Sequence, residues 1–462
     1  MAGASAFWGL ARTPLLSTAS QRAQSMAASG RARLFAIGSM ILLCASVVLA
    51  VTADGLVGGF ALLAFLLVGA ALGLPIVLDL LLRGSQRLSR GVLAQWFWAD
   101  TRQQLPGLSL ALMALLLAMA ANVGVSTMVS SFRLTFIDFL DQRLASELYL
   151  TADDASQAQA LTTYLEPKVD AILPIQSVQK QIFAQPTDVF GIRVHSTQVD
   201  NWTFLAADGN PWGVVRDGTG ILINEQLARR AGLEVGDVVT LDGLPLTVAG
   251  IYGDYGNPIG QAMISEERFI GLFPQIRPVR FGLRLAPEDV PDLVADLERD
   301  FGLGPANLIN QAGIKAFSLG IFERTFTVTA ALNILTLAVA GFAILMSLLT
   351  LATMRVPQLA PAWALGVTRR KLGRFELMRA VVLALFTACI ALPLGLVLAW
   401  VLLAIVNVAA FGWKLPMFVF PLEYARMGLF ALLAAIVASA LPAVRLSRTP
   451  PAELLKVFAN ER

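Results

Sequence analysis

The chain has 462 residues, of which 56% are hydrophobic and 15% are charged, and its formal net charge is +3. Soluble domains carry about 25% charged residues, so this composition, with a mean hydropathy of +0.68, excludes an ordinary soluble fold and predicts a protein surrounded by membrane lipids. The lysines and arginines form short clusters beside apolar segments rather than one broad basic face, which argues against nucleic-acid binding.

Six segments are long and apolar enough to cross the membrane, because about 20 apolar residues span the hydrocarbon layer. They are Leu34–Val51, Leu56–Leu82, Leu105–Val129, Thr327–Met354, Ala380–Val408 and Met427–Val444. The first lies too far from the N-terminus, and is too long, for a plain secretory signal, so we interpret it as a retained span. Cys44 and Cys389 lie within two of these apolar segments and are predicted to be lipid-buried small hydrophobic residues rather than a disulfide.

Basic residues fix the predicted orientation, since Lys and Arg in short loops stay on the cytoplasmic side. They cluster before span one, between spans two and three, between spans four and five, and after span six: Arg12, Arg22, Arg31, Arg33, Arg83, Arg87, Arg90, Arg102, Arg355, Arg369, Arg370, Lys371, Arg374, Arg379, Arg445, Arg448 and Lys456. The alternate loops are nearly free of such charges. Both termini are therefore predicted to be cytoplasmic, and residues 130–324 to be extracytoplasmic.

Residues 130–324 are polar and rich in turn signals, and they predict a folded α+β domain. The predicted strands are 147–150, 221–223, 238–241, 246–251, 262–264 and 281–285, and the predicted helices are 155–169, 225–231 and 287–301. The segment from Gly220 to Ser265 is expected to form a small β subdomain of barrel or sandwich type. Gly232 is expected to cap the helix before it in the left-handed conformation.

The predicted fold class is thus an α-helical polytopic membrane protein with about six transmembrane helices and an inserted α+β extracytoplasmic domain that contains a small β subdomain. The predicted organisation has four parts. They are 1–90, an N-terminal cytoplasmic segment and spans one and two; 91–129, an interfacial elbow helix and span three; 130–324, the extracytoplasmic domain; and 325–462, spans four to six with a cytoplasmic tail.

The sequence LINEQLARRAGLEVGDVVTLDGLPLTVAGI, Leu222 to Ile251, contains a short helix, a GLxxGD turn and a strand pair. This pattern resembles the periplasmic core domain of MacB-type permeases, and further motifs resemble the FtsX-like and MacB-like ABC transporter permeases. The sequence LPAVRLSRTPPAELLKVF, Leu441 to Phe458, resembles the closing signature of the family, and Leu93–Arg102 resembles its elbow helix. The resemblance covers residues 91–458 as one unit, and spans one and two fall outside it.

The segment from Met354 to Phe386 resembles the FtsX-like motif that joins two membrane helices through a short helix, an "ALG" turn and a basic stretch. The resemblance implies that this segment docks on an ATPase subunit. The residues implied in this coupling loop are Gln358, Ala364, Leu365, Gly366, Val367, Thr368, Arg369, Arg370 and Lys371. Gln358 stands where the family usually has an acidic residue. Thr368 is expected to cap the following helix, with Leu372 and Phe375 facing the bilayer surface.

No GxxxxGK[ST] phosphate loop occurs in the sequence, so nucleotide hydrolysis is assigned to a partner chain and no catalytic residue, metal site or cofactor is predicted here. His195 is the single histidine, which leaves little material for a His-based metal site or catalytic triad, and it is interpreted as an ordinary surface residue. Ionisable residues are nearly absent within the spans, which argues against an ion-coupled transporter.

The resemblance implies a membrane permease subunit of the bacterial inner membrane that couples ATP hydrolysis by a separate ABC ATPase to the extracytoplasmic domain. The implied activity is export or extraction of a hydrophobic, lipid, lipoprotein or peptide substrate, with a second permease unit as homo- or heterodimer partner. One alternative is an FtsX-type signalling scaffold that regulates a cell-wall hydrolase. The other is a fragment of a larger permease, because spans one and two plus one family unit resemble the second half of such a protein.

Overall fold

The computed structural model describes residues 21–52, 55–144, 146–255 and 257–448. The chain divides into two compact units. The first, here called the membrane unit, comprises residues up to Thr127, Ala330–Leu402, and the chain from Val419 onwards. The second, here called the α+β unit, comprises Met128–Thr329 and Leu403–Phe418.

The membrane unit consists of long apolar helices. They are α1 (Gln21–Thr52), α2 (Gly55–Leu88), α3 (Val92–Arg143), α10 (Gln311–Ala364), α11 (Arg369–Val401) and α13 (Pro421–Arg448), with α3 and α10 continuing into the α+β unit. Within the described residues, six helical stretches are long and apolar enough to cross a membrane: Arg33–Thr52, Gly55–Leu88, Val92–Arg143, Ala331–Thr350, Arg369–Phe411 and Pro421–Val444. The six spans predicted from hydropathy are confirmed. The elbow segment and span three form one uninterrupted helix, α3.

Two glycines allow α3 and α11 to approach closely inside the membrane unit. A Cβ atom added to Gly395 of α11 would lie 2.6 Å from Val123 Cβ and 2.9 Å from the carbonyl oxygen of Ala120. A Cβ atom on Gly124 of α3 would lie 2.1 Å from a methyl carbon of Leu398. These backbones therefore meet at a distance that only glycine permits, which is a common device of membrane helices. Cys44 and Cys389 are exposed side chains on their helices.

The α+β unit contains ten strands and several short helices. The strands are β1 (Leu148–Thr151), β2 (Ala171–Ile182), β3 (Gln185–Ile192), β4 (Phe204–Ala207), β5 (Gly220–Asn224), β6 (Val238–Leu241), β7 (Leu244–Tyr252), β8 (Gly260–Ser265), β9 (Arg280–Arg284) and β10 (Leu308–Asn310). The helices are α4 (Ala155–Leu165), α5 (Ser196–Asn201), α6 (Pro211–Arg216), α7 (Glu225–Ala231), α8 (Glu266–Leu272) and α9 (Val290–Phe301), with a 3₁₀ turn over Pro287–Asp289.

The strands form one mixed sheet in the order β10-β1-β9-β2-β3-β8-β5-β7-β4, and β6 pairs with β7. β3 runs parallel to β8 and β5 runs parallel to β7, whereas the other pairs are antiparallel. One apolar core, including Leu148, Leu161 and Leu297, lies between the β1 and β9 strands and helices α4 and α9. A second, including Val189, Ile223 and Phe269, lies under β3, β5 and β8.

The strands predicted between Gly220 and Ser265 are all present, and Gly232 caps α7 in the left-handed conformation as predicted, with φ 66° and ψ 37°. They do not close into a barrel or sandwich of their own, because β8 continues through β3 into the long β2–β3 hairpin. The loop of that hairpin, Phe183 and Ala184, has positive φ at both residues (48° and 59°). This hairpin has no counterpart among the predicted strands.

A segment between the fifth and sixth spans belongs to the α+β unit. The helix changes to a π-helical turn at Leu402–Val406, continues as α12 (Asn407–Phe411), and is followed by buried Trp413 and Leu415. The Lys414 backbone N–H donates to the Glu225 carboxylate at 3.2 Å, at the start of α7. The Phe418 backbone N–H donates to the Ser131 hydroxyl at 3.0 Å. Span five therefore stays helical through Val408 as predicted, with a π-helical turn near its end.

Candidate functional site

The predicted coupling loop is a four-residue turn between two membrane helices. Helix α10 ends at Ala364, and the Gly366 N–H donates to the Trp363 carbonyl at 2.9 Å with φ +96° at Gly366. Thr368 is the N-cap of α11, and its hydroxyl accepts a hydrogen bond from the Lys371 N–H at 3.4 Å. A left-handed glycine ends one helix and a capping threonine begins the next, so the turn has a defined geometry.

The turn presents an apolar side chain and several cations. Leu365 is 88% exposed, which places a large hydrophobic group at the tip of the turn. Arg370 and Lys371 are exposed and Arg369 is half-buried in the first turn of α11. Gln358 and Ala364 lie in the last turns of α10, where the side chains are outside the described part of the structure. Thr368 caps α11 as predicted, and the docking role of all nine residues stays a prediction.

A buried charge network lies about two and a half turns further along α11. The Arg379 side chain is 2% exposed and pairs with the carboxylates of Asp100 in α3 and Glu376 in α11, the latter at 2.9 Å. Arg379 also donates to Gln104 at 2.9 Å and to the Thr101 hydroxyl at 3.3 Å. One guanidinium thus connects α11 to α3 through a fork of charge-assisted hydrogen bonds. A second set joins α2 and α3, where Asp79 pairs with Arg102 at 2.5 Å and with Arg83 at 2.6 Å.

Aromatic side chains of α3 pack against Phe375, about one turn before Arg379 in α11. The Phe375 ring lies 5.9 Å from Trp96 and 5.7 Å from Phe97, measured between ring centroids. Leu372 is 3% exposed. The expectation that Leu372 and Phe375 face the bilayer surface is therefore wrong: this face of α11 packs inward, because the tryptophan-rich start of α3 supplies an aromatic partner for it.

The sequence did not predict the burial of Arg379, which was counted only among the orienting basic residues. A buried arginine needs a carboxylate partner. Glu376 lies three positions before Arg379, but Asp100, its partner in α3, is 279 positions away, so the sequence alone does not connect the two. Among the described residues, no three His, Cys, Asp or Glu side chains group as a metal site would require. His195 caps α5, where its Nδ1 accepts from the Thr197 N–H at 3.3 Å.

The α+β unit has a buried cluster of its own at the C-terminal end of α3. Arg143 pairs with Asp254 at 3.1 Å and donates to the Gln261 side chain at 2.7 Å. Its guanidinium lies 4.9 Å from the ring centroid of Trp202 and 5.2 Å from that of Tyr252. Burial raises the pKa of the Asp254 carboxyl, and the charge of Arg143 opposes this rise. Burial also raises the pKa of the Tyr252 hydroxyl.

These features define a class: a multi-pass membrane protein with an inserted α+β domain and a short turn, followed by basic residues, between spans four and five. Residues 108–299 match the MacB-like periplasmic core domain, and residues 330–451 match the C-terminal domain of FtsX-like permeases. The chain thus combines the two domains of MacB-like and FtsX-like ABC transporter permeases, as the sequence motifs indicated, and most of its α+β unit matches the periplasmic core domain.

An uncharacterized ABC transporter permease protein of Mycobacterium tuberculosis is 28% identical over 361 residues, which cover 74% of this chain and 42% of the relative. The chain thus spans about two fifths of the length of this curated relative. Two solved structures also match at 12% identity. The extracellular domain of the noncanonic ABC-type transporter YknZ from Gram-positive bacteria covers 36% of this chain and 98% of its own, with a TM-score of 0.27. The periplasmic region of MacB from Actinobacillus actinomycetemcomitans covers 37% and 94%, with a TM-score of 0.28.

Proposed function

We propose that the chain is the membrane subunit of an ABC transporter and that a separate ATPase docks on the turn from Ala364 to Lys371. The observation that carries this proposal is Leu365, an 88% exposed leucine held at the tip of a capped turn beside Arg370 and Lys371. A large apolar side chain flanked by cations suits a partner groove with acidic edges. Exposed apolar residues on the faces of the spans would contact lipid, whereas this turn follows the end of α10.

The buried network of Arg379 supplies a path for the motion that docking would produce. A displacement of the turn moves the first turns of α11, and Arg379 connects these to Asp100 and Gln104 of α3. Helix α3 is continuous to Arg143, so its far end lies within the α+β unit. The helix displacement that follows closure of the ATPase would therefore be transmitted to the extracytoplasmic domain through α3 as well as through α10.

The proposed assembly lies in the bacterial inner membrane, with both chain termini and the docking turn in the cytoplasm. The proposed work is export or extraction of a hydrophobic, lipid, lipoprotein or peptide substrate. A second permease unit completes the assembly in this proposal. The greater length of the mycobacterial relative, of which this chain matches 42%, supports that second unit.

Replacement of single residues in the tagged full-length chain tests the docking role. Leu365→Ser is expected to abolish co-purification of a vanadate-sensitive ATPase activity, as is replacement of Ala364–Lys371 by a Gly-Ser linker. Leu205→Ser is the matched control, because Leu205 is a 52% exposed leucine in the α+β unit. Size-exclusion chromatography checks that each variant remains folded. If Leu365→Ser and the linker variant retain the ATPase at the level of the control, the docking assignment is wrong.

A further inference from the structure

A half-open cavity of about 170 Å³ lies in the α+β unit between the β2–β3 hairpin, the α5–α6 region and the end of α3. Its apolar lining includes Leu173, Phe190 and Met263, together with the indole rings of Trp202 and Trp212. An apolar cavity of about 150 Å³ is known to hold one benzene ring. The space therefore fits one ring-sized apolar group, and its open side leaves room for the rest of a larger molecule.

Several residues that line this cavity carry buried side-chain polar atoms without a protein partner, and most of these atoms are hydrogen-bond donors. In the part of the chain that the structure describes, the indole N–H groups of Trp202 and Trp212, the Gln176 amide and the Arg143 Nε–H have no protein partner. Gln176 is 3% exposed and Trp212 is 4% exposed. Buried polar groups are normally paired, so several unpaired donors around one cavity indicate a site built for an acceptor.

The charges at the cavity favour a ligand with negative charge. The residues that line it include Arg143 and Arg193 and, among those the structure describes, neither Asp nor Glu. The carboxylate partners of these arginines, Asp254 and Glu266, are outside the lining. A carboxylate would find no Asp or Glu in this lining. Among the buried side-chain atoms of the described lining residues that lack a partner, the N–H donors outnumber the one acceptor, the Gln176 carbonyl oxygen.

We infer that this cavity is a binding site for a carboxylate attached to a ring-sized apolar group. The indole rings would hold the apolar group, and the Trp212 and Gln176 N–H groups would donate to the carboxylate. A free aromatic acid and the C-terminal residue of a peptide share this chemistry. The inference is separate from the ATPase-docking proposal, since the cavity would bind its ligand whether or not a motor protein docks on the turn.

The test uses the full-length chain in lipid nanodiscs and isothermal titration calorimetry. N-acetylphenylalanine is expected to bind at least tenfold more tightly than N-acetylphenylalaninamide, which has the same ring but no carboxylate. Phenylpropionate and the peptide Gly-Gly-Phe then distinguish the two sources, because the tighter binder identifies a free acid or a peptide end. Equal affinity for the acid and the amide, or no measurable binding of any of these acids, would show a merely solvent-filled cavity and overturn the inference.

Gln176→Leu separates binding from folding. It keeps a side chain of similar size on β2 and removes the unpaired amide, so thermal stability is expected to hold or rise while affinity for the acid falls by about tenfold. Gln181→Leu is the matched control, because Gln181 is an exposed glutamine of the same strand outside the cavity. Trp212→Phe provides a second variant that keeps a ring and loses one donor. Unchanged affinity in both Gln176→Leu and Trp212→Phe contradicts the assignment.

Discussion

The Arg143 guanidinium, in the last turn of α3, lies 3.1 Å from the carboxylate of Asp254, which follows β7. The Asp254 side chain is 4% exposed and that of Arg143 is 21% exposed. Asn224, at the start of α7, donates to the same carboxylate at 3.4 Å. One ion pair therefore fixes the end of α3 to the β-rich half of the extracytoplasmic domain.

Removal of the cation from this pair is expected to loosen the domain locally. Arg143→Met leaves the buried Asp254 carboxylate without its charge partner, a change that costs about 3 kcal/mol at comparable buried pairs. The measurement is hydrogen exchange of the β7 and β8 amides in the full-length chain, read as a local opening free energy. The double variant with Asp254→Asn is expected to recover at least half of the loss. If the double variant loses as much local opening free energy as Arg143→Met, the loss comes from the arginine side-chain methylenes and their contacts with the aromatic rings rather than from the ion pair.

The same pair predicts a pH dependence with a definite sign. Burial raises the pKa of Asp254 in the folded protein, so the folded state holds its proton more tightly than the unfolded state does. This contribution to stability is complete below the unfolded pKa of about 3.9 and is lost as pH rises through the folded pKa. Arg143 opposes the rise and Asp188 adds to it. The deficit of Arg143→Met is therefore expected to shrink between pH 7.5 and pH 5. A deficit that is constant over this range contradicts the titration of Asp254.

Hydropathy and local capping signals predicted much of this fold. They did not predict the pairing of the β2 and β3 strands. The spans follow from apolar length, and the caps at Gly232 and Thr368 depend only on neighbouring residues. The β2–β3 hairpin was missed because its turn, Phe183-Ala184, lacks the Asn-Gly or Asp-Gly pair typical of two residues with positive φ. The residues of the loop therefore carry no local sequence signal for this turn.

The candidate site divides in the same way. The turn from Leu365 to Thr368 was predicted from its own residues. The anchoring of α11 was not, because an arginine at the edge of the predicted apolar span, as Arg379 is, has the same local sequence signal whether it orients the chain or pairs with Asp100. The cavity at Gln176 was not predicted either, because the strands and helices that line it are separated by more than a hundred positions in the sequence.

Arg379→Gln is expected to destabilise the membrane unit strongly. The substitution removes the buried cation that pairs with both Asp100 and Glu376, a loss of about 3 to 5 kcal/mol by analogy with other broken buried pairs. The thermal midpoint of the full-length chain in nanodiscs measures the effect. Arg374→Gln is the control, because Arg374 is an exposed arginine of the same helix. Equal midpoints for the two variants would mean that the buried network contributes little to stability.

Gly395→Ala tests the close approach of α3 and α11. The added methyl group would overlap Val123 and the Ala120 carbonyl, so the helices must separate or shift, which costs about 1 to 3 kcal/mol for overpacked sites. Gly428→Ala, in α13, meets no atom within 4 Å and should leave the thermal midpoint unchanged or slightly raised. The same fall in both variants would indicate a general glycine effect rather than the α3–α11 contact.

Gly366 separates the shape of the docking turn from its charge. Glycine adopts the φ of +96° found at position 366 without steric cost, and asparagine tolerates positive φ better than β-branched residues do. Gly366→Val is therefore expected to distort the turn and reduce the ATPase activity that co-purifies with the chain by about tenfold, while Gly366→Asn retains most of it. Both variants keep Leu365, Arg369, Arg370 and Lys371, so a difference between them reports on backbone geometry alone. If both variants retain the ATPase activity equally, the partner binds the side chains of this segment and does not require the shape of its turn. If both lose it equally, the docking site tolerates no side chain at position 366.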